Sequence, residues 1–376
     1  MIIAGEASGD LHGANLAREL KILDSNLVLS GIGGAGMAGS GVNLFYDISN
    51  LAVMGIIEVI SRLKDIRAAM NILENRFKIE RPDLLILIDY PGFNLELARR
   101  AKKYGIPILY YISPKIWAWR EGRIKRIKKY VDRMAVILPF EKKFYQGHGV
   151  DVDFVGNPLL DQVHATLTPA EFKTRYDIES DATVVGIMPG SRRQEIATLL
   201  PLFMQSAVKL NSEIKKCVFL LPLASTLSED EIKEHCRRVD RLLDIRIIKD
   251  ERYAAMAVCD AAMAASGTLT MELAILKVPM VVCYRVSLVS YLLAKPFIKV
   301  KYASLVNLVA EKEVVPELLQ YNATPENIYK GILPMLLNMD VAEAMQQELA
   351  KVRAQLGEPG ASKRAAKLAM EMMMAR

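Results

Sequence analysis

Asp89 stands one residue past the apolar run Leu84–Ile88, where a carboxylate could take a proton from a substrate hydroxyl. If that run is a strand of an open parallel sheet, its carboxyl end is the edge at which ligands bind. The position also suits an aspartate that turns the chain ahead of Pro91-Gly92, and spacing by itself slightly favours that plainer role. Two glycine turns in the second half carry a different chemistry. Pro189-Gly190-Ser191-Arg192 follows Val184–Met188 and leads into a helical stretch. Gly190 frees the backbone, the helix start at Ser191 attracts an anion, and the Arg192 guanidinium can fork onto phosphate oxygens. Arg193 should point elsewhere. A serine cap with exposed arginines is the alternative, and phosphate binding is the stronger reading.

Ser266-Gly267-Thr268 follows Ala261–Ala264 and opens a helix that bears Glu272 one turn in. Hydroxyls at a helix start suit phosphate, and the carboxylate could accept hydrogen bonds from a ribose diol. Two such turns in one half of the chain point to a single nucleotide site there. A third turn, Gly5-Glu6-Ala7-Ser8-Gly9-Asp10, joins the first apolar run to a helix. It reads equally as a place of close ligand approach, with Glu6, Ser8 and Asp10 beside it, or as a tight turn capped by Ser8 or Asp10.

Other patterns are set aside. Gly31, Gly33 and Gly36 match G-x-G-x-x-G literally, but Gly39 and Gly41 make the following stretch a poor helix. Position 56, where the acidic partner of a dinucleotide fingerprint should stand, is Ile56. Asp151-Val152-Asp153 has a metal-binding D-x-D spacing, yet its alternation with Val150 and Phe154 reads as a strand with charges outward. The four cysteines form no C-x-x-C pair and the four histidines no H-E-x-x-H, so neither a zinc site nor a disulfide framework is expected.

The elements that must position these residues are legible as short apolar runs alternating with longer amphipathic stretches. Besides those named, the runs are Ile106–Tyr111, Arg133–Leu138, Val218–Pro222, Ile245–Ile248 and Pro279–Cys283. Such runs suit strands buried on both faces of parallel sheets, an α/β architecture. The rhythm pauses after Asn157-Pro158 and restarts near residue 182, which predicts two doubly wound domains, 1–160 and 161–356. Gly357-Glu358-Pro359-Gly360 then breaks the chain ahead of a final helix over 361–376. The first run, Met1–Ala4, is shorter than an ordinary strand and suggests a natural start a few residues upstream.

With 376 residues, 52% hydrophobic and 24% charged, the composition is globular and excludes a disordered or fibrous chain. The net charge of +6 suits an anionic partner without choosing one. No apolar run approaches the ~20 residues of a membrane span and no signal pattern precedes the first turn, so a cytoplasmic protein is expected. Arg123–Lys129 reads as a basic helix, a solvated face that could also touch anionic lipid. The stretch 53–63 is more apolar than one helix face requires and would contact membrane or acyl chains if exposed.

Taken together, the motifs resemble those of the lipid-A-disaccharide synthases of Gram-negative bacteria. The matching stretches are AGEASGD at 4–10, LAVMGIIEV at 51–59, IDYPGFN at 88–94, SPKIWAWR at 113–120 and LPFEKKFY at 138–145. They continue with MPGSRRQEI at 188–196, ASGTLTMELA at 265–274 and SLVNLVA at 304–310. The resemblance implies a GT-B glycosyltransferase, two Rossmann-like domains facing a cleft, with the last helix returning to the first domain. The first domain would face acceptor and membrane and the second would bind the UDP-sugar.

The implied reaction joins UDP-2,3-diacylglucosamine to 2,3-diacylglucosamine 1-phosphate (lipid X) by a β-1,6 bond, with inversion and release of UDP. Asp89 matches the proposed catalytic base and Arg192 the diphosphate arginine. Gly190, Ser191, Ser266, Gly267, Thr268, Glu272 and Asn307 fall on the donor side, and Glu6, Ser8 and Asp10 on the acceptor side or in its turn. Some members carry an acidic residue where Gly92 stands, so a second carboxylate role is not assigned. Ile56, Ile57, Val59, Ile60 and Leu63 match an apolar patch that dips into the inner membrane, although Arg67 stands where the patch can be apolar. No cofactor, metal or nucleic acid is implied, and the family suggests a homodimer that exchanges C-terminal helices. The rivals are another UDP-sugar transferase acting on a lipid-linked acceptor, and a non-catalytic UDP-sugar or lipid-binding protein, against which the intact Asp89 weighs.

Overall fold

Runs too short and too uniformly apolar for helices become strands. β1 (Ile2–Ala4), β4 (Leu85–Ile88) and β5 (Ile108–Tyr111) are buried at every residue, as strands covered on both faces must be. The computed structural model describes residues 1–48, 63–223, 229–237, 243–286 and 300–375. Of the expected apolar patch, Ile56, Ile57, Val59 and Ile60 lie outside the described residues; Leu63 opens the helix Leu63–Ile79, but its side chain also lies outside them.

Among the described residues, β1 and β4–β5 belong to a seven-stranded parallel sheet with β2 (Ser30–Gly33), β3 (Asn43–Asp47), β6 (Arg133–Val136) and β7 (Asp153–Phe154), in the order β3-β2-β1-β4-β5-β6-β7. The remaining strands are β8 (Thr183–Met188), β9 (Cys217–Pro222), β10 (Asp244–Ile248), β11 (Ala261–Ala265), β12 (Met280–Tyr284) and β13 (Glu317–Leu319). They form a second parallel sheet in the order β10-β9-β8-β11-β12-β13. In each sheet the chain winds outward in one direction, returns to the middle, and winds outward in the other. The strand order therefore reverses between β1 and β4 in the first sheet and between β8 and β11 in the second. These are the places where open α/β sheets leave a crevice at their carboxyl edge.

The chain divides into two compact units, Met1–Pro158 with Leu356–Arg376, and Leu159–Gln355. In the first unit the helix Ala361–Met374 lies on the helix Ala7–Leu23. Its contact face holds Ala365, Ala366 and Ala369, all fully buried, and residues this small allow close approach of helix backbones. Arg364 secures the return: its Nε donates to the Val155 carbonyl at 2.8 Å and its guanidinium also reaches the carbonyls of Glu358 and Pro359. In the second unit, Phe203, Phe219 and the fully buried β8 and β11 side chains centre the core.

Two expectations need correction. Gly31 and Gly33 lie inside β2, beyond the run Leu27–Leu29, and Gly36 lies in the short helix that follows, so the G-x-G-x-x-G match begins within the strand rather than after it. A Cβ on Gly31 would stand 1.7 Å from the Ile2 carbonyl oxygen, and glycine is what lets β1 and β2 pair there. The stretch judged too glycine-rich for a helix does form a short one, Ala35–Gly39, because the Asp10 carboxylate accepts its first amides. Asp153 does pair outward, with Arg133 at 2.9 Å, but β7 is only two residues long and Asp151 lies before it. Among the described residues no group of side chains could hold a metal ion, the four thiols are unpaired, and no helix is long and apolar enough to cross a membrane.

Candidate active site

At the carboxyl edge of the first sheet, β1 and β4 run in register, Ala4 opposite Ile88. Gly5 therefore stands beside the residues that follow β4, and the Tyr90 ring fills the space of its missing side chain, 2.2 Å from where a Cβ would sit. Asp89 and Tyr90 both adopt left-handed backbone, φ 42° and 46°. That conformation costs of order 1–3 kcal/mol for residues with a Cβ and survives only where surroundings impose it. The surroundings are specific: the main-chain carbonyl of Asp89 accepts from the Tyr110 hydroxyl at 2.5 Å and from Asn94 Nδ2 at 2.7 Å. Asn94 also donates to the Ile88 carbonyl, so one side chain clasps the main chain on both sides of the Asp89 Cα.

The Asp89 side chain is thereby fixed at the strand tip. Burial pushes its carboxyl up to about 6; the Lys115 ammonium opposes this, the Glu6 carboxylate adds to it, and the Tyr90 amide opposes it as a hydrogen-bond donor. A carboxyl poised there is mostly ionised at neutral pH yet basic enough to accept a proton from an attacking hydroxyl. Glu6, at the start of the helix Ala7–Leu23, is thus brought to Asp89. Ser8 is exposed on the first turn of that helix. Asp10 is drawn away: its oxygens accept from the amides of Gly34, Gly36 and Met37 at 2.6–3.0 Å. It caps a helix other than the one the turn suggested.

In the second unit the turns after β8 and β11 are neighbours, because Met188 pairs with Ala264 and Ala265 with Cys283. Gly190 has φ +109°, and a Cβ there would meet the Glu195 carboxylate at 2.3 Å. Glu195 fills that space: its Oε2 accepts from the amides of Ser191 and Arg192 at 3.2 and 3.3 Å, and its Oε1 from Arg192 Nη1 at 3.1 Å. The amides expected to meet phosphate thus hold a carboxylate of the chain itself, and an arriving anion must displace it. Its position three residues past Arg192 has capping-box spacing, a signal readable in the sequence. The Arg192 side chain is 59% exposed, while Arg193 points away to Glu231.

The Ser266 hydroxyl donates to the Ala303 carbonyl at 2.9 Å. Gly267 has φ +155° with nothing within 4 Å of its Cβ direction, Thr268 is exposed, and the Thr270 hydroxyl takes the Gly267 carbonyl. Glu272 is buried and paired with Arg252. Asn307 is bonded within the unit. Its Oδ1 accepts from the amides of Val314 and Val315, and its Nδ2 donates to the Val315 carbonyl and to Glu317. All four of its hydrogen-bonding positions are occupied by groups of the chain itself. Glu317, which no sequence pattern marked, also accepts from the amides of Ala303 and Ser304.

Comparison with known proteins agrees with this frame. Residues 1–372 match the family model of the lipid-A-disaccharide synthetases. A lipid-A-disaccharide synthase of Syntrophus aciditrophicus is 46% identical over 373 residues, covering 99% of this chain and 97% of that one. Among solved structures, a UDP-GlcNAc 2-epimerase from Neisseria meningitidis superposes with a TM-score of 0.66 at 12% identity, covering 100% of this chain and 99% of the other. A glycosyltransferase of kitacinnamycin gives 0.65 at 15%, covering 99% and 97%. Those structural likenesses show the fold, the α/β GT-B type. The end-to-end family match shows the rest: this chain belongs to the lipid-A-disaccharide synthase family and is a glycosyltransferase of lipid A synthesis.

Proposed function

We propose that the chain joins UDP-2,3-diacylglucosamine to 2,3-diacylglucosamine 1-phosphate through a β-1,6 bond, inverting the anomeric carbon and releasing UDP. Inversion needs one in-line attack and one base. Asp89 takes the proton of the acceptor's 6-hydroxyl as that oxygen bonds to the anomeric carbon and the bond to the UDP oxygen breaks. Arg192, with the amides at Gly190–Arg192 and Gly267–Thr268, binds the diphosphate in place of Glu195 and stabilises the charge it gains on leaving. These cationic and dipolar groups supply what a divalent cation would, so the proposed reaction needs none. Glu272 receives the ribose, and Glu6 borders the acceptor.

The observation that carries the reading is Asp89, a carboxyl held at about 6 at the strand-order reversal of the first sheet. The acylated substrates also place the enzyme peripherally on the cytoplasmic side of the inner membrane. Exposed Lys125, Arg126, Lys128 and Lys129, near the exposed Trp119, are suited to anionic headgroups. In a homodimer the helix Ala361–Met374 would pack on the partner's first unit in place of its own.

The test is UDP release from UDP-2,3-diacylglucosamine with and without lipid X, in EDTA, with Asp89→Ala alongside. Release that requires lipid X, survives EDTA and drops at least ~100-fold in the variant supports the proposal. Absence of lipid X-dependent release from folded protein overturns it.

A further inference from the structure

Glu272 is a residue whose chemistry its neighbours must decide. It is 7% exposed, on a helix (Thr268–Ile275) whose residues from Thr270 to Ile275 are all buried. Burial pushes its carboxyl above the ordinary range, and the Arg252 guanidinium works against that rise both as a charge and as a hydrogen-bond donor. Arg252 comes from elsewhere in the unit, as the first residue of the helix Arg252–Ala257, which follows the left-handed Glu251. Its fork meets both oxygens: Nη2 lies 2.5 Å from Oε2 and Nη1 3.4 Å from Oε1.

Such a fork does two things. It keeps the carboxylate ionised in a place that disfavours charge, and it fixes the plane of the group. A carboxylate has about four lone-pair directions and the fork takes two of them, which leaves two aimed away from Arg252. Packing alone does not call for this arrangement, since a buried ion pair stabilises no better than apolar side chains of similar volume. The pair also stands one helical turn from Gly267, whose Cβ direction is open for 4 Å, so a ligand has room at the turn that Glu272 follows.

We propose that Arg252 is the positioning residue that aims the Glu272 carboxylate at a ribose diol and so sets a preference for ribonucleotide donors. This rests on the reading of Glu272 as the ribose acceptor in the proposed function. A site built to accept hydrogen bonds from hydroxyls discriminates strongly against a ligand that lacks them, because the buried carboxylate is then left unpaired. Arg252 makes that penalty possible by keeping the group charged. Without Arg252, Glu272 can take up a proton or turn away, and the ligand's hydroxyls lose their fixed acceptor.

The experiment is calorimetric titration of the full-length enzyme with UDP and with 2′,3′-dideoxy-UDP, for wild type, Arg252→Lys and Arg252→Met. Wild type should prefer UDP by at least ~10-fold. Arg252→Met, which keeps the aliphatic stem, should bring the two affinities within about twofold by weakening UDP alone, and Arg252→Lys should recover part of the preference. The dideoxy nucleotide reports the integrity of the rest of the site. If Arg252→Met keeps the wild-type ratio, or loses both nucleotides together, the positioning role is overturned. If wild type binds the two nucleotides equally, the ribose role of Glu272 fails first, and the inference with it.

Discussion

The Tyr110 hydroxyl donates to the main-chain carbonyl of Asp89 at 2.5 Å, from the neighbouring strand β5 and 21 residues away in sequence. Tyr110 is fully buried, so its one polar atom is spent on the strained peptide that presents the base. Tyr110→Phe removes that bond and leaves the ring. A lost internal hydrogen bond costs about 1 kcal/mol of stability, and kcat should fall roughly tenfold with KM little changed if Asp89 loses its aim. Steady-state kinetics beside a denaturation curve separates the two effects; an unchanged kcat would show that Asn94 suffices.

Burial pushes the Asp89 carboxyl up to about 6. A general base must be ionised, so kcat/KM should be flat above neutrality and fall as pH drops through about 6. Asp89→Asn should lower the rate about 100-fold or more and abolish that acid limb. A limb that persists in the residual activity of the variant would assign it to another group.

Arg192 is largely exposed and, among the described residues, its guanidinium pairs with its near neighbour Glu195, so its removal should change stability by no more than about 0.5 kcal/mol. Arg192→Ala should nevertheless cost about 100-fold in rate, since a donor to developing charge acts in the transition state. Comparable losses of stability and rate would argue for a structural arginine.

Glu141 gives a prediction about stability rather than catalysis. It is buried, and it accepts from Trp117 Nε1 at 3.1 Å and from the amides of Leu138 and Ile137. Burial still pushes its carboxyl up to about 7, against those donors. An acid that holds its proton more tightly when folded favours folding fully below the ordinary carboxyl range. That advantage is lost as pH rises through about 7. Glu141→Gln cannot titrate, so its denaturant midpoint should change less between pH 5 and pH 8 than the wild type's. Glu141→Ala should cost about 1–3 kcal/mol at either pH by stranding the three donors. Equal pH responses in wild type and Glu141→Gln would contradict this account.

What the sequence disclosed divides along physical lines. Strands such as Leu85–Ile88 are written in contiguous residues, so they and the residue at each tip could be read directly. Tyr110, Arg252 and Glu317 could not, because each reaches its partner through strand pairing or helix packing that no local pattern records. Asp10 shows the same limit in reverse. Its spacing offered a cap for its own helix, and the fold turned it to amides 24 to 27 residues away. Asn307 lies within a recognisable motif, but only the structure shows its hydrogen bonds committed internally.

The segment beginning at Leu356 belongs to the first unit, while residues 159–355 form the second. A ribosome therefore makes the second unit between the two pieces of the first. At about 5–20 residues per second, the helix Ala7–Leu23 waits on the order of tens of seconds for the alanine face that covers it. During synthesis its apolar side is exposed to chaperones and to other nascent chains, and the second unit can close before the first is complete.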